Sequence, residues 1–161
     1  SEFLIWMDAS VRWNNAASFD RIFQRAERQG VQCALGGGSI AVRTAVSTFR
    51  FYGDQTCQYS SFREIEANCE VYHNDVFVRE AIVEPWLSCA FNRTCMCVKN
   101  FGSVRGCSFR PPRRYNRCHR FDQSSLGIIL SKLYMEKETL LTFPPSSVAI
   151  RRGHRMRWFK P

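Results

Sequence analysis

Phe3-Leu4-Ile5-Trp6-Met7 is an unbroken apolar run that halts at Asp8. A run this short, without helical spacing, reads as a strand covered on both faces, inside a sheet rather than at its rim. From Ser18 the period changes. Phe19, Ile22, Phe23 and Ala26 recur at helical spacing, with Ser18 placed to cap and Gly30 to terminate. A strand feeding a helix points to an α/β fold, a sheet with flanking helices. In such sheets ligands meet the carboxyl ends of strands, which is where Asp8 stands.

The rest of the pattern keeps that alternation. Val31 to Leu35 predicts a short strand, Gly36-Gly37-Gly38 a flexible loop, and Thr44 to Tyr52 a helix. Ser61 with Glu64 three residues on predicts a capping box and a further helix; Glu70 to His73 reads as extended. Asn74 or Asp75 caps an amphipathic helix toward Phe91, interrupted or kinked at Pro85. Asp122 to Glu136 predicts a helix whose stripe is Leu126, Ile129, Leu130 and Leu133. Thr139 to Phe143 and Val148 to Ile150 are late strands around Pro144-Pro145.

Residues 92–118 form a loop rich in Cys, Gly, Pro and Arg, longer than a compact domain tolerates without cross-links. The chain holds eight cysteines, an even number and high for a reducing compartment. Disulfides are the first reading. Zinc is the rival, but Cys95-x-Cys97 with scattered partners Cys107, Cys118 and His119 is a poor match to paired zinc knuckles. Asn92-Arg93-Thr94 is a glycosylation sequon and agrees with passage through the secretory pathway, to the Golgi lumen or the cell exterior. No apolar stretch approaches a membrane span, although an anchor upstream of Ser1 is compatible with the pattern.

The formal charge of +9 is local. Pro85 to Phe121 carries eight Lys or Arg and no acid, Thr139 to Pro161 five and no acid, while the remainder has ten basic and fourteen acidic side chains. A polyanion such as a sulfated glycan is therefore one possible partner, through Arg105, Arg110, Arg113, Arg114, Arg117, Arg120 and the tail Arg151, Arg152, Arg155, Arg157 and Lys160. No nucleic-acid motif accompanies these charges, so nucleic acid is not an expected partner. His73, His119 and His154 have no Ser or Cys in a recognisable nucleophile elbow.

Two constellations carry chemistry. In Trp6-Met7-Asp8-Ala9-Ser10-Val11-Arg12-Trp13, alternate residues of extended chain share a side, so Asp8, Ser10 and Arg12 would face one diphosphate-binding pocket. In Arg117-Cys118-His119-Arg120-Phe121-Asp122-Gln123-Ser124, Asp122 and Gln123 sit at a helix N-terminus, where unpaired N–H groups favour anions. An ordinary N-cap is the plainer alternative.

With Trp86-Leu87-Ser88-Cys89-Ala90 between them, these segments resemble a family of glycosyltransferase-like proteins abundant in nematodes. Its members carry a Trp-x-Asp-x-Ser-Val/Ile-Arg strand, a Trp-x-x-Cys-Ala segment and a Cys-His-Arg-Phe/Tyr-Asp-Gln-Ser helix start. The likeness covers about residues 3–135 in the same order. It implies a GT-A fold, the nucleotide-diphospho-sugar transferase sheet, and transfer of a sugar from a nucleotide sugar to a glycan or protein acceptor. Asp8 then matches the first acid of an Asp-x-Asp and contacts the sugar nucleotide or its Mn2+; Ser10 stands where the second acid is expected. A neutral hydroxyl is the poorer divalent-ion ligand, and Arg12 and Arg120 offer phosphate-binding charge instead. Asp122 is the expected catalytic or sugar-orienting carboxylate, with Gln123 on sugar hydroxyls. His119 is a candidate metal ligand, and Glu84 and Trp86 candidate acceptor or sugar-stacking residues.

The resemblance also implies that residues 1–138 are the C-terminal part of a GT-A-like domain whose nucleotide-binding half lies upstream. Residues 139–161 form a basic C-terminal extension. A chain opening on Ser1 and entering a strand at once agrees with that expectation. The missing acid at Ser10 keeps a decayed, non-catalytic relative open as a further reading.

Overall fold

The computed structural model describes residues 2–15, 18–98, 115–135 and 137–150. Strand β1 (Phe3–Met7) leads through a turn to β2 (Val11–Trp13), then helix α1 (Phe19–Gln29) and β3 (Val31–Ser39). Two short helices follow, α2 (Ile40–Arg43) and α3 (Val46–Phe51). Next come the long strand β4 (Arg63–His73), a π-helical turn (Val78–Val83) running into α4 (Glu84–Ala90), and the helix α5 (Phe121–Tyr134). The described residues close with α6 (Glu138–Leu141), β5 (Thr142–Phe143) and β6 (Val148–Ile150).

The main sheet has the order β1-β4-β3-β5; β4 runs antiparallel to both neighbours, and β3 pairs in parallel with β5. Strands β1, β3 and β5 therefore point the same way. β2 and β6 form a separate antiparallel pair. One face of the sheet packs Ile22 and Ala26 of α1 with Ala34, Cys69, Val71 and Phe143. The other packs Leu126, Ile129 and Leu130 of α5 with Val31, Cys33, Ile65 and Tyr72. The result is a mixed α/β sheet between helical layers, as the alternation predicts.

Several local expectations are corrected. β1 is an edge strand, not an interior one: β4 occupies one side, and Leu4 and Trp6 remain 63% and 57% exposed. Gly36-Gly37-Gly38 belongs to β3, across an irregularity in its pairing with β4, rather than to a loop. A Cβ on Gly36 would lie 2.5 Å from Glu64 Cγ, so the missing side chains make room for the glutamate that crosses there. Ser61 and Glu64 open no helix, because residues 63–73 are one strand and Glu64 is buried in ion pairs. Ser18 donates to the Asn15 carbonyl instead of capping α1. Gly30 does end α1, at a φ of 80°.

The expected kink before Pro85 takes the form of the π turn, which places Pro85 in the first turn of α4, where a missing N–H does no harm. Asp75 accepts the Val78 N–H at 2.8 Å, as a cap should. The predicted helix at 44–52 is the shorter α3, and the predicted strand at 139–143 is shortened to β5 by α6. α5 is buried around most of its girth from Gln123 to Leu130, so it is a central helix rather than one with a single stripe.

Candidate functional site

The carboxyl ends of β1 and β3 lie at one end of the sheet, and the N-terminus of α5 comes to the same end through Arg120. Asp8, half-buried, donates its N–H to the Asn68 carbonyl of β4 at 2.9 Å. Its own carbonyl accepts the Val11 N–H at 2.9 Å, closing a turn over Ala9 and Ser10. That turn removes the extended geometry on which a shared face for Asp8, Ser10 and Arg12 depends. Arg12 folds back instead, its Nη1 donating to the carbonyls of Ala9 and Val11 at 2.8 and 2.7 Å.

At the start of α5, Phe121 holds a φ of 46°. For a bulky aromatic this left-handed backbone costs about 1–3 kcal/mol, and such strain collects where a particular geometry is required. Beside it, exposed Asp122 accepts the Gln123 N–H on Oδ1 at 2.8 Å. The Asp122 carbonyl accepts the Trp86 indole N–H at 3.2 Å, tying α4 to α5. Gln123 is buried, and its Nε2 has no partner among the described residues. Trp86 packs on the core beside α5 and also lines a cavity of about 520 Å³ with Phe3, Leu4, Tyr72 and Leu87. Glu84 is exposed on α4.

β4 also carries two buried acids. Glu70, opposite Trp6 on β1 and Cys33 on β3, is fully buried. The Tyr72 hydroxyl donates to its Oε2 at 2.7 Å. Burial first of all, then the negative charges of Asp122 and Asp8, push its pKa up to about 7 against the Tyr72 bond. Sequence reasoning missed Glu70; the available signal was a carboxylate flanked by Cys69 and Val71 in a stretch read as extended. Acids are almost never fully buried without a partner.

A second buried acid on β4, Glu64, is surrounded by cations. Arg43 pairs with its Oε1, Arg120 Nη1 lies 3.3 Å away, and the Gly38 N–H donates at 3.1 Å. Burial still raises its pKa, while Arg43 and Arg120 oppose the rise. Arg120 also reaches Glu66 at 4.0 Å. Its guanidinium is thus directed to carboxylates of β4 rather than to a phosphate.

His119 is buried as a structural bridge. The Ala45 N–H donates to its Nδ1 at 3.5 Å, and its Nε2 donates to the Met96 carbonyl at 3.1 Å. Burial lowers its pKa despite the backbone bonds. With both ring nitrogens engaged, His119 does not complete a metal set begun by Asp8, and Ser10 offers only a hydroxyl. Among the described residues no three His, Cys, Asp or Glu side chains are grouped to hold an ion. The donor set does not fit a resident Mn2+.

Cys89 and Cys95 are joined by a disulfide, and Cys118 is also disulfide-bonded. Cys33, Cys57, Cys69 and Cys97 are free thiols. Cys33 and Cys69 sit in the cores on opposite faces of the sheet, which keeps these two apart. Asn92 follows α4, and its Oδ1 accepts both the Thr94 N–H and hydroxyl, at 2.9 and 2.6 Å. Arg105, Arg110, Arg113, Arg114 and the basic tail lie outside the described residues. No helix among the described residues is long and apolar enough to cross a membrane. No protein-family model, curated protein or solved structure matches the chain.

Proposed function

We propose that this chain is the sugar- and acceptor-binding part of a GT-A-like glycosyltransferase of the secretory pathway. It would transfer a sugar from a nucleotide-sugar donor to a glycan or protein acceptor. The observation that carries the reading is that Asp8 hydrogen-bonds to β4 through Asn68, while Asp122 opens α5, whose N-cap Arg120 pairs with Glu64 of the same strand. On this reading Asp122 orients the donor sugar or serves as the catalytic carboxylate, Gln123 binds sugar hydroxyls, and Asp8 contacts the sugar nucleotide. The position of these groups at the carboxyl ends of β1 and β3 is where open α/β sheets receive ligands.

A nucleotide-binding half beyond the outer edge of β1 belongs to the same proposal. Its support is a mismatch: β1 is apolar on both faces, the pattern of an interior strand, yet no described strand pairs with its outer edge. Calorimetry with a panel of UDP- and GDP-sugars, with and without Mn2+, tests both parts. The 161-residue chain should bind weakly, and a chain extended by such an upstream half tightly. Tight binding by the short chain removes the missing half, and no binding or turnover by either removes the transferase. Secretion should attach one glycan at Asn92, and Asn92→Gln should abolish the mass released by N-glycosidase.

A further inference from the structure

The cavity of about 520 Å³ lies at the start of β1, the end opposite Asp8, between that strand, the last residues of β4 and the helix that runs from the π turn into α4. Leu4 stands directly across from Tyr72 in the β1–β4 pairing, and Val83, Trp86 and Leu87 line the helical side. The inner wall is almost entirely carbon. Its two polar groups are already committed: the Tyr72 hydroxyl donates to Glu70 at 2.7 Å, and the Trp86 indole N–H donates to the Asp122 carbonyl at 3.2 Å. Neither has a proton left to give. A sugar or nucleotide in this space would lose water from its hydroxyls without replacing those hydrogen bonds, whereas an apolar body loses nothing.

The remaining polar side chains of the lining, His73, Asn74 and Arg79, follow one another at the end of β4 and the start of the helix. The Asp75 carboxylate beside them is occupied, by His73 Nδ1 at 2.7 Å and the Val78 N–H at 2.8 Å. Arg79 Nε donates to the Asp75 carbonyl at 3.3 Å, and no carboxylate among the described residues pairs with its guanidinium. An apolar hollow with one uncancelled cation at its rim is complementary to an amphiphile with an alkyl body and an anionic head. We propose that this cavity binds a single-chain lipid carboxylate, its chain against Leu4, Val83, Trp86 and Leu87 and its head on Arg79. Glu80 and Glu84, exposed on the same helix but outside the lining, would repel an anionic bilayer laid across the whole face. A single recessed chain avoids them. The site is independent of the transferase reading.

Calorimetry of the 161-residue chain with octanoate, decanoate and dodecanoate, each below its micelle concentration, tests the proposal beside the matching primary alcohols. Affinity should rise about fourfold with each added methylene until the cavity is filled. Arg79→Gln should weaken the carboxylates about fivefold, as for an exposed ion pair, and leave the alcohols unchanged. Leu87→Glu places a second carboxylate at the mouth and should abolish carboxylate binding. Both side chains are exposed, so the variants should melt with the parent.

Absence of binding by every chain length, or an affinity that ignores length, overturns the proposal. So does an Arg79→Gln loss that is equal for acids and alcohols, because the head would then lie elsewhere, or a Leu87→Glu variant that binds dodecanoate like its parent. Two further measurements address other occupants. Sedimentation with phosphatidylserine vesicles by a chain that ignores monomeric dodecanoate would assign the face to a membrane. A dimer in sedimentation equilibrium that Leu87→Glu disperses and dodecanoate does not would assign it to a second copy of the chain. Either result also overturns the lipid site.

Discussion

Glu64 and Glu70 are the same residue on the same strand, both buried, yet they are held in opposite ways. Glu64 has Arg43, Arg120 and a backbone N–H against its Oε1, and glycines opposite it where any side chain would collide. Glu70 has a tyrosine hydroxyl on Oε2 and, among the described residues, no partner on Oε1. Burial penalises both charges, but only the first is compensated. The difference separates a carboxylate that pins α2 and the start of α5 to the sheet from one that carries a proton near neutrality. It also shows that the arginines the sequence offered for phosphate, Arg12 and Arg120, are engaged by the protein itself.

The largest effect should come from uncovering Glu64. Arg43→Ala leaves a buried carboxylate with Arg120 as its remaining cation and should cost about 3 kcal/mol, near the low end for breaking a buried pair. Denaturant melts should show the loss greatest at pH 8 and smaller at pH 5, because protonation removes the uncompensated charge. An equal loss at both pH values would mean that the arginine acts through packing alone.

Glu70 should behave inversely, with no cation to remove. Its folded pKa of about 7 stands above the ordinary 4.5, so the folded chain binds more protons between those values. Stability should therefore fall as pH rises through that window, by on the order of 3 kcal/mol once Glu70 is fully ionised. Glu70→Gln should flatten the fall and make the protein more stable than its parent at pH 8. A parent and variant with parallel pH profiles would place Glu70 in the same category as Glu64.

How far these features could be read beforehand follows the range of the interactions involved. The layers, α1, α5 and the Asp75 cap come from local periodicity and short polar signals, which act within a few residues. The edge position of β1 does not, since its apolar composition fits an interior strand equally well and pairing is decided by β4, some sixty residues on. Gly36 to Gly38 look like a loop because their reason, the crossing of Glu64, is on another strand. The same separation misled the Ser61 and Glu64 pairing, where a capping spacing coincides with a strand start. Asp8 and Asp122 are legible from motifs, whereas the burial of Glu70 and Asn68 emerges only once β4 takes its place in the sheet.

A smaller effect probes the glycines on the Glu64 side. A Cβ on Gly38 would lie 2.6 Å from Glu64 Oε1 and 2.7 Å from Arg43 Nε, while one on Gly37 meets nothing within 4 Å. Gly38→Ala should cost roughly 1–3 kcal/mol by prying the ion pair, and Gly37→Ala should be neutral or mildly stabilising by thermal melt. Equal effects would mean that the run is needed for its backbone, not for the room it leaves the glutamate.

The smallest effect should come from Trp86, which links the other glutamate's surroundings to α4. Trp86→Phe keeps an aromatic ring on the core but removes the indole N–H held by the Asp122 carbonyl at 3.2 Å. Water can replace that exposed bond, so the cost should be about 0.5 kcal/mol, the low end for a hydrogen bond. The informative readout is the Glu70 midpoint. If the indole holds Asp122 in place, its removal weakens a lesser cause of the raised pKa and the midpoint drops only slightly, because burial, the first cause, remains. If instead Trp86 is a face for sugar, stability and midpoint both stay put while affinity for the nucleotide sugar falls, because stacking area is lost without any change in the charges around Glu70.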